Sequence, residues 1–171
     1  MLYLKGWVHT AFLLFFASHI PITFIMDAQV ILPSTPQILS EMRLWYITTY
    51  KDTLMTEPYD LFLISFVYCE VFFQVPFFFY AVKTLLSKQN STRFRLLSLI
   101  YGSHTVTTLV PILSSILFQE NDEYNKNSLE KCILFCFYFP YLIFPLWLVI
   151  IALNSEDMFG SDDESRQNKK D

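Results

Sequence analysis

Long apolar runs separated by short polar breaks set the pattern of this chain. Apolar residues dominate about Trp7–Leu32, Asp60–Leu86, Phe94–Phe118 and Lys131–Leu153. Each run meets the roughly 20 residues an α-helix needs to cross a bilayer core. The pattern therefore predicts an all-α, polytopic membrane protein built as a bundle of four transmembrane helices. Between the runs lie a polar and aromatic segment (Pro33–Tyr59), a short basic turn (Ser87–Arg93) and an acidic loop (Gln119–Glu130). Residues 1–153 form the transmembrane domain. Residues 154–171, rich in acids and interrupted by Gly160-Ser161, read as a disordered cytoplasmic tail. The first run exceeds the about 7–15 apolar residues of a secretory signal, holds Pro21 and Asp27, and precedes no A-x-A site. It reads as a retained signal anchor.

Composition sharpens this picture. Of 171 residues, 53% are apolar and only 16% charged, too few charges for a soluble domain of this size. A net charge of −4 leaves no basic footprint for nucleic acid. Three cysteines (Cys69, Cys132, Cys136) with no CxxC pair argue against a zinc, redox or disulfide framework. Cys132 and Cys136 read as inert apolar fillers, and no metal or other cofactor is expected.

Orientation follows from lysine and arginine. Lys5, Lys83, Lys88, Arg93, Arg95, Arg166, Lys169 and Lys170 fall on one side; Arg43, Lys51, Lys126 and Lys131 fall on the other. Both termini are thus expected in the cytoplasm, which leaves the Asn90-Ser-Thr sequon unglycosylated. Lys169 and Lys170 resemble a dilysine retrieval signal shifted by one residue.

Every span contains proline: Pro21, Pro76, Pro111, and the pair Pro140 and Pro145. Proline frees a carbonyl one turn earlier, and in lipid that group needs an internal partner. Four such helices predict kinks and a hollow between them, with Pro21, Pro76 and Pro111 in structural roles.

Ionisable side chains within spans are costly and mark function by default. Here they are His19, Asp27, Glu70 and His104, with His9 near a boundary and set aside as interfacial. His19, Thr23 and Asp27 recur at i, i+4, i+8; Glu70 and Gln74 at i, i+4; His104 and Thr108 at i, i+4, beside Ser103 and Thr107. Tyr138 and Tyr141 follow at i, i+3 beside Pro140. Each helix thus offers a polar stripe that must face the interior. Asp27 and Glu70 differ in depth by roughly 7–8 Å at 1.5 Å per residue. Two carboxylates in a dry chamber cannot both ionise comfortably, so the pair is expected to share a proton. Glu70, flanked by Val71, Phe72 and Phe73, is expected to carry it, leaving Asp27 as the anion for a cationic ligand. Pro33–Tyr59, with Trp45, Tyr46, Tyr50 and Tyr59, reads as a lumenal lid. Asp52 within it reads as a helix cap or lid salt bridge.

Ser18-His-Ile-Pro-Ile-Thr-Phe-Ile-Met-Asp27, Lys51-Asp52 ahead of Glu57-Pro58, and Cys69-Glu-Val-Phe-Phe-Gln-Val-Pro-Phe-Phe78 form one set of motifs. His104-Thr-Val-Thr-Thr-Leu-Val-Pro-Ile-Leu-Ser114 and Pro140-Tyr-Leu-Ile-Phe-Pro145 complete it. In this order and spacing the chain resembles the sigma-2 receptor family over about residues 7–153. That family belongs to the EXPERA-domain group, which also holds the emopamil-binding sterol isomerases. The resemblance implies a multi-pass protein of the endoplasmic reticulum membrane, often a homodimer. Its pocket opens to the bilayer and takes sterols or cationic amphiphilic lipids, with a part in lipid homeostasis. It further implies that Asp27 pairs with a ligand amine and Glu70 hydrogen-bonds Asp27. Asp52 would be structural, while His19, Met26, Gln74, Thr108, Tyr138 and Tyr141 line or support the pocket. A fungal branch of the family implies instead assistance to mitochondrial precursor targeting or protein quality control. Sterol isomerisation is disfavoured, because the related isomerases have five spans and only Trp147, near the far end of span four, supplies a tryptophan.

Overall fold

In a computed structural model, described for Leu4 and for residues 6–88, 92–119 and 124–155, the chain folds into helices with no strand among the described residues. Asn90 and the tail beyond Ser155 lie outside them. Helix α1 (Gly6–Ile25) runs into a 3-10 turn, Asp27–Val30. Helix α2 (Gln37–Tyr50) and a second 3-10 turn, Thr53–Met55, form the lid segment. Helix α3 (Leu61–Cys69), a π-helical turn (Glu70–Gln74) and α4 (Val75–Leu86) make one broken span, followed by α5 (Thr92–Phe118) and α6 (Ser128–Asn154). Among the described residues four segments are long and apolar enough to cross a membrane: Gly6–Val30, Leu61–Leu86, Thr92–Phe118 and Ser128–Asn154. They match the four runs read from the sequence to within a few residues.

Helix α5 packs along α6, and α1 along α4. The α5–α6 seam is tight at Gly102, where a Cβ would stand 2.8 Å from the carbonyl oxygen of Pro145 and strike Val149. Small residues allow such approach in lipid, where van der Waals contact rather than the hydrophobic effect holds helices together. Arg95, buried at the same seam, donates from Nε to the Ala152 carbonyl at 2.6 Å and from Nη2 to that of Leu153 at 3.4 Å. A cation there answers the orphan carbonyls and negative dipole of the α6 C-terminus. The other end of α6 carries a capping box, with the Glu130 amide donating to Asn127 and the Asn127 amide to Glu130.

Three apolar clusters divide the bundle. The largest joins α1, α4, α5 and α6 around Phe12, Phe16, Phe77, Phe78, Tyr101 and Leu148. Nearer the lid, Leu109, Ile112, Ile116 and Leu134 form a second cluster between α5 and α6, and Val30, Ile47, Met55, Leu63 and Val67 form a third under the lid. Between α1 and α6 the contact is mostly aromatic, from Trp7–Trp147 through Phe15–Phe144 to His19–Tyr141. Phe72, Phe79, Cys132 and Cys136 are exposed on the outer surface. Pro21, Pro76 and Pro111 also face outward.

The broken span has a local cause. Pro76 has no N–H to give, and its ring crowds the carbonyl four residues back. The turn before it widens, and the Val75 amide donates to the Glu70 carbonyl, five residues away. Periodicity read this span as one helix; the π turn is where it departs.

Gly102→Ala is expected to force α5 and α6 apart at an unyielding backbone oxygen. The cost should fall in the roughly 1–3 kcal/mol range of overpacked cores, read as a lower thermal midpoint of the purified protein in detergent.

Candidate functional site

Where the three clusters fail to meet, the bundle encloses a cavity of about 290 Å³. That is the low end of ligand-pocket sizes. Its walls come from every span and from the lid. Helix α1 and its 3-10 extension supply His19, Ile22, Met26 and Asp27; the broken span supplies Leu63, Phe66, Val67, Glu70 and Gln74. Helix α5 contributes Thr105, Thr108, Leu109 and Ile112, and α6 contributes Phe137, Tyr138 and Tyr141. Met42, Trp45, Tyr46 and Met55 close it from the lid.

All eight residues read from the sequence as ligand-binding thus meet at one cavity: His19, Met26, Asp27, Glu70, Gln74, Thr108, Tyr138 and Tyr141. The local geometry differs from a set of straight stripes. Helix α1 stops at Ile25, so Asp27 opens a 3-10 turn and does not continue the helical register of His19 and Thr23. Gln29 stabilises this break by donating to the Ile25 carbonyl at 2.5 Å and to the Leu39 carbonyl of the lid at 3.0 Å. Thr23, fully buried, donates from Oγ1 to Glu70 Oε1 at 2.5 Å. His19 Nε2 stands 3.5 Å from the same oxygen. The side-chain hydrogen bond held by Glu70 therefore comes from Thr23, where the resemblance implied Asp27.

The α5 stripe is shifted by one residue. His104 does not line the cavity; it sits edge-on to Phe73 at 5.2 Å. Thr105 takes its place beside Thr108, donating to Gln74 Oε1 at 3.3 Å and to the Tyr101 carbonyl at 2.9 Å. Ser103 and Thr107 face outward, and Thr107 returns its hydroxyl proton to the Ser103 carbonyl at 2.7 Å. A hydroxyl in lipid can satisfy itself this way on its own helix. That option is why threonine is a weak pointer to the interior.

The lid is anchored by Asp52. The side chain caps the Thr53–Met55 turn by accepting from the Leu54 amide at 3.0 Å. It makes no salt bridge among the described residues. Oδ2 instead accepts from Tyr46 at 3.1 Å and from Tyr138 on α6 at 2.7 Å. Burial pushes this carboxyl above its usual range, while the two phenols, the amide and nearby Lys126 pull it back. Burial beside Asp52 raises the Tyr46 phenol, so it stays a donor. Both phenols wall the cavity, so Asp52 fixes that wall without lining it. Lys51, in the left-handed conformation (φ 56°) that ends α2, adds a 2.5 Å ion pair to Glu130. Lys126 donates to the Lys51 carbonyl at 2.9 Å.

The cavity has an exposed margin. Ile22, Met42, Trp45 and Phe137 line it yet remain accessible from outside. They mark a gap between α1 and α6 beneath α2.

Fold and site together define a multi-pass helical membrane protein with an apolar chamber walled by two carboxylates. The family model described as EXPERA (EXPanded EBP superfamily) matches residues 38–152, and the chain belongs to that family. It is similar to the Sigma intracellular receptor 2 of Homo sapiens, 39% identical over 151 residues that cover 83% of this chain and 85% of the relative. The protein of that name from Xenopus tropicalis is 36% identical over 161 residues, covering 89% and 90%. The Efficient mitochondria targeting-associated protein 19 of Schizosaccharomyces pombe is 33% identical over 145 residues, covering 82% and 72%.

Asp52→Ala is expected to strand two phenols and an amide, destabilising the lid by roughly 1–3 kcal/mol. Asp52→Asn keeps an acceptor and removes the cost of burying charge, so its loss should be the smaller. Thermal unfolding, with limited proteolysis after Lys51 as a local readout, checks both.

Proposed function

We propose that this protein binds an amphiphile in the cavity: a sterol or a cationic lipid whose polar or charged head meets Asp27 beside Glu70. The carrying observation is the chamber itself, apolar over most of its wall, with two carboxylates and no lysine or arginine among its lining residues. Such a wall favours an apolar body and a positive or hydrogen-bonding head. Glu70 is already held by Thr23. No other described residue hydrogen-bonds the Asp27 side chain, which accepts from its own backbone amide and so remains open to an incoming ammonium. Ligand entry is from the hydrocarbon, through the gap under α2 where Ile22, Trp45 and Phe137 are exposed. An amphiphile dissolved in the bilayer then need not cross water.

The proposal is of a binding protein rather than an isomerase, resident in the endoplasmic reticulum membrane with both termini cytoplasmic, serving sterol or lipid homeostasis as a homodimer. The names carried by the Sigma intracellular receptor 2 relatives support the binding role. The positive-inside count supports the orientation. A second reading, assistance to mitochondrial targeting, is favoured by the name of the fission yeast relative. Deletion of residues 156–171 separates the two: a phenotype that follows the tail and ignores Asp27 selects the second.

Asp27→Asn removes the charge and keeps the shape. Binding of a radiolabelled cationic amphiphile to the purified protein should fall at least about tenfold, since a charge-assisted contact contributes about 1.5–3 kcal/mol, while the thermal midpoint stays near that of the parent. Unchanged affinity defeats the assignment.

A further inference from the structure

The cavity carboxylates share their chamber with one group able to become a cation. His19 Nε2 lies 3.5 Å from Glu70 Oε1, and the two side chains are only 8% and 16% exposed. Aromatic rings flank the imidazole on three sides. It stacks on Phe78 of α4 at 4.6 Å, stands edge-on to Phe15 at 5.4 Å, and leans on Tyr141 of α6 at 4.6 Å. The groups facing it can be named element by element. The π turn presents Glu70, the α1 extension presents Asp27, and α6 presents Tyr141. Helix α4 presents the uncharged Phe78, and α5 presents Thr105 at the cavity with Tyr101 packed behind it against Phe78. Among the described residues no lysine or arginine lines the chamber.

We propose that His19 is an internal counter-ion that competes with the ammonium group of a ligand for the Asp27–Glu70 pair. The proposal rests on the cationic-ligand reading above and adds what regulates that site. Imidazole is the side chain whose unperturbed charge changes between pH 5 and 8. Neutral His19 leaves the field of the carboxylates to the ligand. Imidazolium pairs with Glu70, cancels one negative charge and places a like charge beside the incoming amine. Burying two cations in one dry chamber is costly. Linkage makes the effect reciprocal: binding of a cation drives the His19 proton out to bulk buffer, and acid drives the cation out. A sterol carries no charge and should be indifferent to the state of His19. The same cavity would then exchange charged for uncharged occupants as pH falls.

The test uses the full chain in lipid nanodiscs with two tritiated probes: an N,N-dimethylalkylamine, charged throughout pH 5.5–8.0, and cholesterol. For wild type, amine affinity should fall about tenfold from pH 8.0 to 5.5, within the usual range of coupling between sites, with cholesterol binding unchanged. In His19→Gln the amine affinity, whatever its value at pH 8.0, should stay level across that range, because the slope and not the absolute affinity reads the charge on the ring. Parallel decline of wild type and variant would show that the carboxylates alone titrate, and it overturns the proposal; so does a level wild-type profile. Should the variant not fold, side-chain nitrogen NMR of His19 in the wild-type protein at pH 6 decides. Saturating amine should shift the ring from imidazolium to neutral, and an unmoved signal overturns the proposal. Failure of wild type to bind the amine at any pH is a different result: it removes the cationic-ligand reading, and this inference with it.

Discussion

A carboxylate placed inside a bilayer has to be answered by other protein groups, and Glu70 is the point at which this bundle meets that demand. Its partner Thr23 stands on α1, while Glu70 itself heads the π turn that interrupts the second span. The contact therefore joins the first two spans across the chamber they enclose. Lipid offers no alternative donor, so one short hydroxyl–carboxylate bond has more consequence here than at a wet surface. The π turn contributes by the same logic. Pro76 removes an amide that an α-helix would use, and the widened turn re-satisfies the chain through the bond from Val75 to Glu70. A proline on the outer face and a carboxylate on the inner one are two sides of a single local rearrangement.

The hollow follows from how the apolar clusters are distributed. Aromatic rings pack the end of the bundle around Phe16, Phe77 and Tyr101. Toward the lid, α5–α6 and the lid–α3 region each form their own cluster. The space between them is roofed by a segment whose ties include Gln29 to Leu39, Lys51 to Glu130, and Asp52 to Tyr138. Two of these ties end on α6 and one on the end of α1. Helix α2 thus straps the two spans whose mutual contact is mostly aromatic. The exposed margin lies beside the strap, with Met42 and Trp45 of α2 meeting Ile22 of α1 and Phe137 of α6 there.

Much of this was legible in the residues, and what was not has definable causes. Four spans announce themselves because a 20-residue apolar run has few other uses. Asp27 and Glu70 stand out because their type is expensive in lipid. The choice between neighbours is harder. His104 and Thr105 differ by one residue, about 100° around the helix, and the broad apolar belt of a lipid-embedded helix does not say which of the two faces in. The histidine drew attention by its chemistry, but the threonine faces the cavity. The end of α1 at Ile25 was hidden for a similar reason: an i+8 step fits a helix, and nothing near Asp27 marks a stop. The side chain that secures it, Gln29, acts through carbonyls at Ile25 and Leu39, which carry no sequence signal. Asp52 was read as a helix cap or a lid salt bridge, and it caps the Thr53–Met55 turn. Its two phenols come from six residues before and 86 residues after, a distance at which pattern is silent.

The asymmetry between the two cavity carboxylates bears on binding versus catalysis. An acid–base pair of the isomerase kind needs one group poised to give a proton and another poised to take one. Glu70 is committed to Thr23 and lies beside His19, held from two sides, whereas Asp27 sits at a helix break with its side chain left for an occupant. That division suits a site in which one carboxylate is part of the framework and the other meets the guest. The wall opposite is made of Tyr138 and Tyr46, whose hydroxyl protons are directed at Asp52 and so turned away from proton transfer in the chamber. The rest of the cavity wall is mostly apolar, with His19, Gln74, Thr105, Thr108 and Tyr141 beside the two carboxylates, a lining that supports the amphiphile binding proposed above.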